Sequence, residues 1–147
     1  MIKNERQYRI TRRQADRFAQ TLEGFRERPE GANGMHPLIA QAQVDAVSSQ
    51  LADLEAELRE YEAIKEGAFQ VEALRMVGDL PALLIKARIA RGLTQRELAD
   101  RMGLKEQQIQ RYEATDYATA KWSRIREVAG VLSIELGSSD APVKALQ

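Results

Sequence analysis

The chain has 147 residues, of which 44% are hydrophobic and 30% charged, and its 22 basic and 22 acidic side chains give a formal net charge of zero. The absence of cysteine excludes disulfides, thiolate catalysis and thiolate-ligated zinc, and it agrees with a reducing compartment. No apolar run reaches the length of a membrane span and residues 1–18 lack a signal-peptide pattern, so we expect a cytoplasmic protein without membrane contact.

The zero net charge conceals regions of opposite sign. Residues 37–66 hold two basic and seven acidic side chains, whereas residues 86–126 hold ten basic and five acidic ones. Residues 1–28 are also basic, with eight cations against four carboxylates. Basic regions of this kind indicate a polyanionic partner, although charged helix faces are also ordinary solvated surface, and charge alone leaves both interpretations open.

Strand signals are sparse and helix-forming residues dominate, which predicts an all-α fold. The first predicted helix covers about residues 12–27, with Thr11 as its N-cap. Its apolar stripe recurs at steps of three and four and consists of Ala15, Phe18, Leu22 and Phe25. The stretch RPEGANGMHP follows, and its prolines and glycines predict a loop.

The longest regular stretch runs from Pro37 to about Glu66. Its apolar residues recur at alternating steps of four and three, which predicts a long helix with a heptad seam. The seam consists of Ala40, Val44, Val47, Leu51, Leu54, Leu58 and Tyr61. The first helix is too short to cover it, so we expect part of the seam to pack on a second copy, on a partner protein or on the C-terminal domain. A purely intramolecular hairpin is the alternative.

These patterns divide the chain into four parts. Residues 1–66 are interpreted as a helical dimerisation or partner-binding region, 67–79 as a connector, 80–136 as a separate helical domain and 137–147 as a frayed tail. Asp79 is expected to cap the first helix of the separate domain, which has Pro81 in its first turn and ends at Gly92.

Residues 92–115 carry the most specific pattern. Thr94 and Glu97 have the spacing of a capping box, which predicts a helix that begins near Gln95. Gly103 ends this helix, and a further short helix begins near residue 105 or 106. Two short helices joined by a glycine-containing turn predict a helix-turn-helix, with small Ala99 and branched Ile109 at the contact between them.

The last of these two helices has an amide-rich outer face. On a helical wheel Ile109 and Tyr112 share the inner face, with Glu113 beside them, and the opposite face is polar. Glutamine pairs with adenine and arginine with guanine in the major groove, and glutamate accepts from cytosine. The predicted base-reading residues are Glu106, Gln107, Gln108, Gln110 and Arg111. The predicted phosphate contacts are Gln95, Arg96, Lys105 and Lys121.

With these residues in place, the segment ARIARGLTQRELADRMGLKEQQIQRYEATDYATAKWSRIREVAGVL resembles the Cro/Xre-type helix-turn-helix family, over about residues 80–136. The resemblance implies a compact five-helix domain that binds double-stranded DNA, commonly as a dimer, without catalytic activity. It assigns base reading to Glu106, Gln107, Gln108 and Arg111, and it matches the family's helix-two glutamine to Gln95. One departure is Lys105, where the family often has a serine or threonine cap.

No catalytic or cofactor site is predicted. The single histidine, His36, precedes a proline in the predicted loop, and no phosphate-binding glycine motif occurs. The seam residues Val44, Val47, Leu51, Leu54, Leu58 and Tyr61 instead suggest a homodimeric transcriptional repressor. Two alternatives remain open, namely an antitoxin whose N-terminal helices bind a toxin protein, and an adaptor that has lost DNA affinity. After residue 114, we expect a loop and then a last helix over about residues 119–132. Trp122 of this helix is expected in the hydrophobic core of the domain.

Overall fold

The computed structural model describes residues 1–27, 34, 36–67 and 80–134, and within these residues it contains six α-helices and no strand. The predicted all-α fold is therefore confirmed. The chain divides into two compact units, Met1–Glu66 and Gly67–Gln147. The helices are α1 (Glu5–Arg26), α2 (Pro37–Lys65), α3 (Leu80–Ala90), α4 (Gln95–Arg101), α5 (Glu106–Ala114) and α6 (Trp122–Val131).

Helix α1 begins seven residues earlier than predicted. Asn4 is its N-cap, and the Asn4 side chain accepts a hydrogen bond from the Gln7 backbone N–H at 2.9 Å. The prediction that Thr11 caps the helix is wrong, because asparagine caps at least as well as threonine and the residues between them continue the helix. Ala15 and Leu22 of the predicted stripe are buried, as expected for a helix packed along one face.

Helices α1 and α2 form an antiparallel hairpin. The Tyr8 and Tyr61 rings stack with their centroids 5.2 Å apart, and the Tyr8 hydroxyl donates to Glu62 Oε1 at 2.5 Å. This hydrogen bond raises the pKa of the Tyr8 phenol above its usual value. At the end of the hairpin, Lys65 Nζ lies 3.2 Å from Glu5 Oε2. These contacts fix the register of the two helices.

The register leaves the start of α2 uncovered by α1. Because residue 5 lies opposite residue 65, and residue 8 opposite 61 and 62, the last residue of α1 lies opposite about residue 44. The first seven residues of α2 extend beyond that point, and we call residues 37–43 the α2 overhang. Within it, Leu38 is 74% exposed and Ile39 is 55% exposed.

The second unit has an aliphatic core. Side chains from all four of its described helices or their ends are at most 1% exposed: Leu84, Ile85, Leu98, Ala99, Ile109, Val128, Ala129 and Leu132. Gly92 follows α3 with φ of +67° and Gly103 follows α4 with φ of +64°, so both predicted glycine stops are confirmed. The resemblance to the Cro/Xre-type family implies five helices, and within residues 80–134 the structure contains four, α3 to α6.

The interpretation of Trp122 as a core residue is wrong. Helix α6 begins at Trp122, and the indole is 54% exposed. The turn between α5 and α6 runs to Lys121, so Trp122 occupies the first position of α6, while the buried face of the helix is made by Val128 and Ala129 further along. The predicted cap Asp79, most of the 67–79 connector and the 137–147 tail lie outside the described residues.

Candidate nucleic-acid interface

The start of α4 is fixed by reciprocal hydrogen bonds between Thr94 and Glu97. The Thr94 backbone N–H donates to Glu97 Oε2 at 2.8 Å, and the Glu97 backbone N–H donates to Thr94 Oγ1 at 3.1 Å. The predicted capping box is therefore confirmed. The bonds from the backbone N–H and then the hydroxyl of Thr94 lower the pKa of the Glu97 carboxyl.

Helix α5 begins at Glu106 without a side-chain acceptor at its N-cap, which is Lys105. Lysine has no acceptor to offer, so only the second half of a capping box forms. The Lys105 backbone N–H donates to Gln108 Oε1 at 3.2 Å. Gln108 thus satisfies the backbone N–H of Lys105, but it does not replace the bond that a serine or threonine hydroxyl would accept from the first turn of α5.

A buried ion pair anchors the inner face of α5 to α3. Arg88 Nε donates to Glu113 Oε1 at 2.6 Å and Arg88 Nη2 donates to Glu113 Oε2 at 2.8 Å. The two side chains are 3% and 1% exposed. Arg88 Nη1 also donates to the Leu93 carbonyl at 2.7 Å, which ties the end of α3 to the same pair. The two parallel hydrogen bonds of this bidentate pair fix the orientation of α5 relative to α3 as well as its position.

The sequence interpretation placed Glu113 near the inner face but gave neither it nor Arg88 a role. The signal in the sequence is an arginine between Ala87 and Ile89, within a helix whose other residues are almost all apolar. An arginine in such a place needs a carboxylate to remain buried. The partner lies 25 positions away, and no local periodicity connects the two residues.

Gln95 belongs to the same buried cluster. Its side chain is 9% exposed, and its Nε2 donates to Glu113 Oε2 at 2.8 Å. The carboxylate of Glu113 thus accepts from both Arg88 and Gln95. The predicted phosphate contact of Gln95 stays a prediction, and a side-chain contact would have to use the amide oxygen or break the bond to Glu113.

The outer face of α5 presents the predicted base-reading side chains. Glu106, Gln107, Gln110 and Arg111 are exposed, and Gln108 is half-buried. Gln110 Nε2 donates to Glu106 Oε1 at 3.0 Å, and Gln108 is engaged at the helix start. Within residues 80–134 no hydrogen bond occupies the side chains of Gln107 or Arg111, so these two groups are presented to solvent.

Comparison with known protein families bears directly on this segment. A family model described as helix-turn-helix matches residues 84–137, which include α3 to α6 almost entirely. The chain therefore contains a helix-turn-helix domain of the Cro/Xre type, to which α4 and α5 belong. No curated protein and no solved structure matches the chain.

The Cro/Xre-type domain is a DNA-binding regulatory domain and does not belong to an enzyme family. The remaining predicted phosphate contacts, Arg96, Lys105 and Lys121, are exposed on this domain. Lys121 is the N-cap of α6 and adjoins the exposed Trp122. Among residues 1–27, 36–67 and 80–134, no helix is long and apolar enough to cross a membrane, and no cluster of metal-ligating side chains occurs.

Proposed function

We propose that the protein is a cytoplasmic, sequence-specific transcriptional regulator, a dimeric repressor that reads the major groove with α5. One observation carries the base-reading part: Gln107 and Arg111 are exposed and unengaged within residues 80–134, on a helix whose opposite side is held by Ile109 and the Arg88–Glu113 pair. Because the anchor is buried and bidentate, α5 presents its outer face without first having to order itself, which lowers the entropic cost of binding.

The members of the base-reading set are not equivalent in this proposal. Gln107 and Arg111 contact bases directly, one turn apart, as a bidentate amide and a guanidinium. Glu106, Gln108 and Gln110 already hold hydrogen bonds inside α5 or at its start. A base contact by Gln108 or Gln110 replaces one of those bonds, so we expect these two residues to discriminate bases less strongly than Gln107.

Selection of bound sequences from a random DNA pool tests the proposal. The wild-type protein should enrich a defined sequence, and Gln107→Ala or Arg111→Ala should lose about 1–3 kcal/mol per lost base contact and relax the preference at one position each. Arg126→Ala, an exposed change on α6, should leave the preference unaltered. An unchanged preference in both α5 variants would remove these residues from base reading.

Dimerisation through α2 is the second part of the proposal. The structure buries Leu58 and Tyr61 inside the hairpin, where Tyr61 stacks on Tyr8. The half-buried seam residues Val44, Val47, Leu51 and Leu54, together with the overhang, are therefore the surface left for a second copy. Two copies packed along this seam would carry two reading helices to a two-fold symmetric operator.

Sedimentation of seam variants tests the dimer. Val47→Lys changes a half-buried seam residue and should shift the protein to monomers, whereas Ser49→Lys adds the same charge at an exposed position of α2 and should not. A dimer that survives Val47→Lys would place the contact elsewhere. If a dimer forms through the seam, nuclease protection should show two half-sites roughly 34 Å apart or at a multiple of that distance.

An antitoxin is the competing function, and the exposed apolar overhang favours considering it. Leu38 and Ile39 are exposed on a helix region with seven acidic and two basic side chains, which suits a basic toxin protein as well as a second copy. A small toxin gene beside this reading frame, and growth arrest by that gene relieved by this protein, would favour the antitoxin. A dimer that assembles fully without any other protein would favour the repressor.

A further inference from the structure

Helix α1 carries a row of arginines on the side that faces away from α2. Arg6, Arg9, Arg13 and Arg17 are all exposed, and we call them the α1 arginine stripe. At about 100° per residue, the four side chains fall within an arc of roughly 80°, approximately opposite buried Ala15 and Leu22. Between Arg6 and Arg17, Asp16 is the one acidic residue at the border of that arc, so the charge of this face is almost purely cationic.

The hairpin separates its cations into two sets. Arg12, which points toward α2, pairs with Glu62 at 3.6 Å, Lys65 pairs with Glu5 at 3.2 Å, and Arg59 pairs with Glu55 at 3.8 Å. Within residues 1–27 and 36–67, the guanidinium groups of the four stripe arginines have no ion-pair or hydrogen-bond partner; the Thr21 hydroxyl bonds only to the Arg17 backbone carbonyl. Two carboxylates of α2, Glu62 and Glu55, therefore pair with cations outside the stripe, and the four stripe arginines are α1 cations that none of these ion pairs engages.

We propose that the α1 arginine stripe binds the phosphate backbone of DNA, as a second contact surface besides the Cro/Xre-type domain. All four groups are guanidinium, which binds phosphate oxygens through two parallel N–H donors, whereas lysine offers a point charge. The stripe is about 16 Å long from Arg6 to Arg17, the axial rise of about five phosphates on one strand. A row of this length and chemistry contacts a backbone and reads no bases.

The covalent connection to the Cro/Xre-type domain favours DNA over any other polyanion. The 13 residues between Glu66 and Leu80 span at most roughly 45 Å when fully extended. DNA held by α5 therefore stays within reach of the hairpin, so a contact by the stripe is intramolecular once α5 has bound. An intramolecular contact adds to the affinity even when it is weak. This inference rests on the DNA binding proposed above, but it assigns a different surface and no sequence preference.

Salt titration of DNA affinity tests the stripe in the full-length protein. The double variant Arg13→Gln/Arg17→Gln removes two stripe cations, and Arg12→Gln/Arg59→Gln removes two cations that are engaged in the hairpin. Both variants change the net charge by the same amount. Each lost phosphate contact reduces the slope of log K against log salt by about 0.9, so the stripe variant should lose about 1.8 per protomer and the control close to zero.

The same difference can be read as affinity. Between 50 and 200 mM salt, the stripe variant should lose roughly 12-fold less affinity than wild type for each protomer that contacts DNA. Arg13→Lys/Arg17→Lys should keep most of the wild-type slope, because the charges remain. Helical content measured by circular dichroism should be the same in both stripe variants as in wild type, since the stripe guanidinium groups make no contact that supports the hairpin.

The outcomes separate the stripe from the α5 proposal. A stripe variant with the wild-type slope and the wild-type sequence preference overturns the stripe and leaves α5 reading intact. A wild-type protein without sequence preference overturns α5 reading, and the slope difference on random DNA still decides the stripe. If the stripe variant keeps its slope but sediments as a smaller species, the stripe instead faces the acidic α2 of a second copy, and the DNA assignment is wrong.

Discussion

Replacing Glu113 by glutamine should destabilise the second unit more than any surface change of the same kind. The substitution keeps the shape of the side chain but leaves the Arg88 guanidinium, which is 3% exposed, without a counter-charge. Glu113 accepts two hydrogen bonds from Arg88 and one from Gln95, and a neutral amide oxygen can replace only part of that set. Breaking one side of a buried ion pair costs about 3–5 kcal/mol. We expect about 3 kcal/mol for Glu113→Gln, because the amide retains one acceptor.

Urea unfolding followed by tryptophan fluorescence measures this loss in the correct unit. The chain contains one tryptophan, and Trp122 lies in α6, so its emission reports the second unit. With a denaturant slope of about 2 kcal/mol per molar, a loss of about 3 kcal/mol lowers the midpoint by roughly 1.5 M. Glu127→Gln is the matched control, because Glu127 pairs with Arg124 on the surface and is 55% exposed. That change should cost less than about 1 kcal/mol.

A second variant separates the loss of pairing from the loss of packing. In Arg88→Met/Glu113→Leu no charge remains buried, so much of the stability lost in Glu113→Gln should return. The Leu93 carbonyl and the Gln95 amide still lose their partners, so recovery should be incomplete. The reasoning is refuted if Glu113→Gln costs no more than Glu127→Gln, or if the double variant is less stable than Glu113→Gln.

Two further changes test the turn and the cap of the helix-turn-helix. Gly103→Ala places a side chain at φ of +64°, where the added Cβ meets open space, so the expected loss of stability is backbone strain of about 1–2 kcal/mol. Gly103→Asn should lose less stability, because asparagine tolerates this conformation better. Equal urea midpoints for the two variants would contradict this expectation. Thr94→Ala removes the N-cap of α4 and should cost about 1 kcal/mol, measured by the same unfolding assay. The pKa of Glu97 is lowered in the folded state, so its contribution to stability is present above its unfolded pKa and is lost as the pH falls through the folded pKa. Wild type should therefore lose more stability than Thr94→Ala on acidification.

The parts of this fold that follow local rules were predictable from the sequence. The Thr94–Glu97 capping box depends on two side chains three residues apart, and the stops at Gly92 and Gly103 depend on the missing Cβ of one residue each; all three are confirmed. The start of α1 was misplaced because both Asn4 and Thr11 are suitable caps, and the polar residues between them carry no clear apolar period. Local sequence does not decide between two good caps.

The features that depend on distant residues were not predictable. The Arg88–Glu113 pair joins residues that are 25 positions apart in the sequence. Because this pair holds the inner face of α5 against α3, the amide-rich face is the one that α5 presents to solvent. Trp122 was expected in the core on composition alone, but its position at the first residue of α6 leaves it 54% exposed. The predicted reading face itself came from a helical wheel anchored on Ile109, which is fully buried, and its role in base reading stays a prediction.

The α2 overhang provides a natural reporter of what this protein binds. Its backbone amides from about residue 40 onward are hydrogen-bonded within the helix, but α1 does not extend over this part, so these amides should exchange with solvent deuterium much faster than those around buried Leu58. Whatever covers Leu38 and Ile39, whether a second copy or another protein, must slow that exchange. Deuterium uptake over residues 40–43 therefore shows whether the overhang is occupied in a cell extract before any partner has been identified.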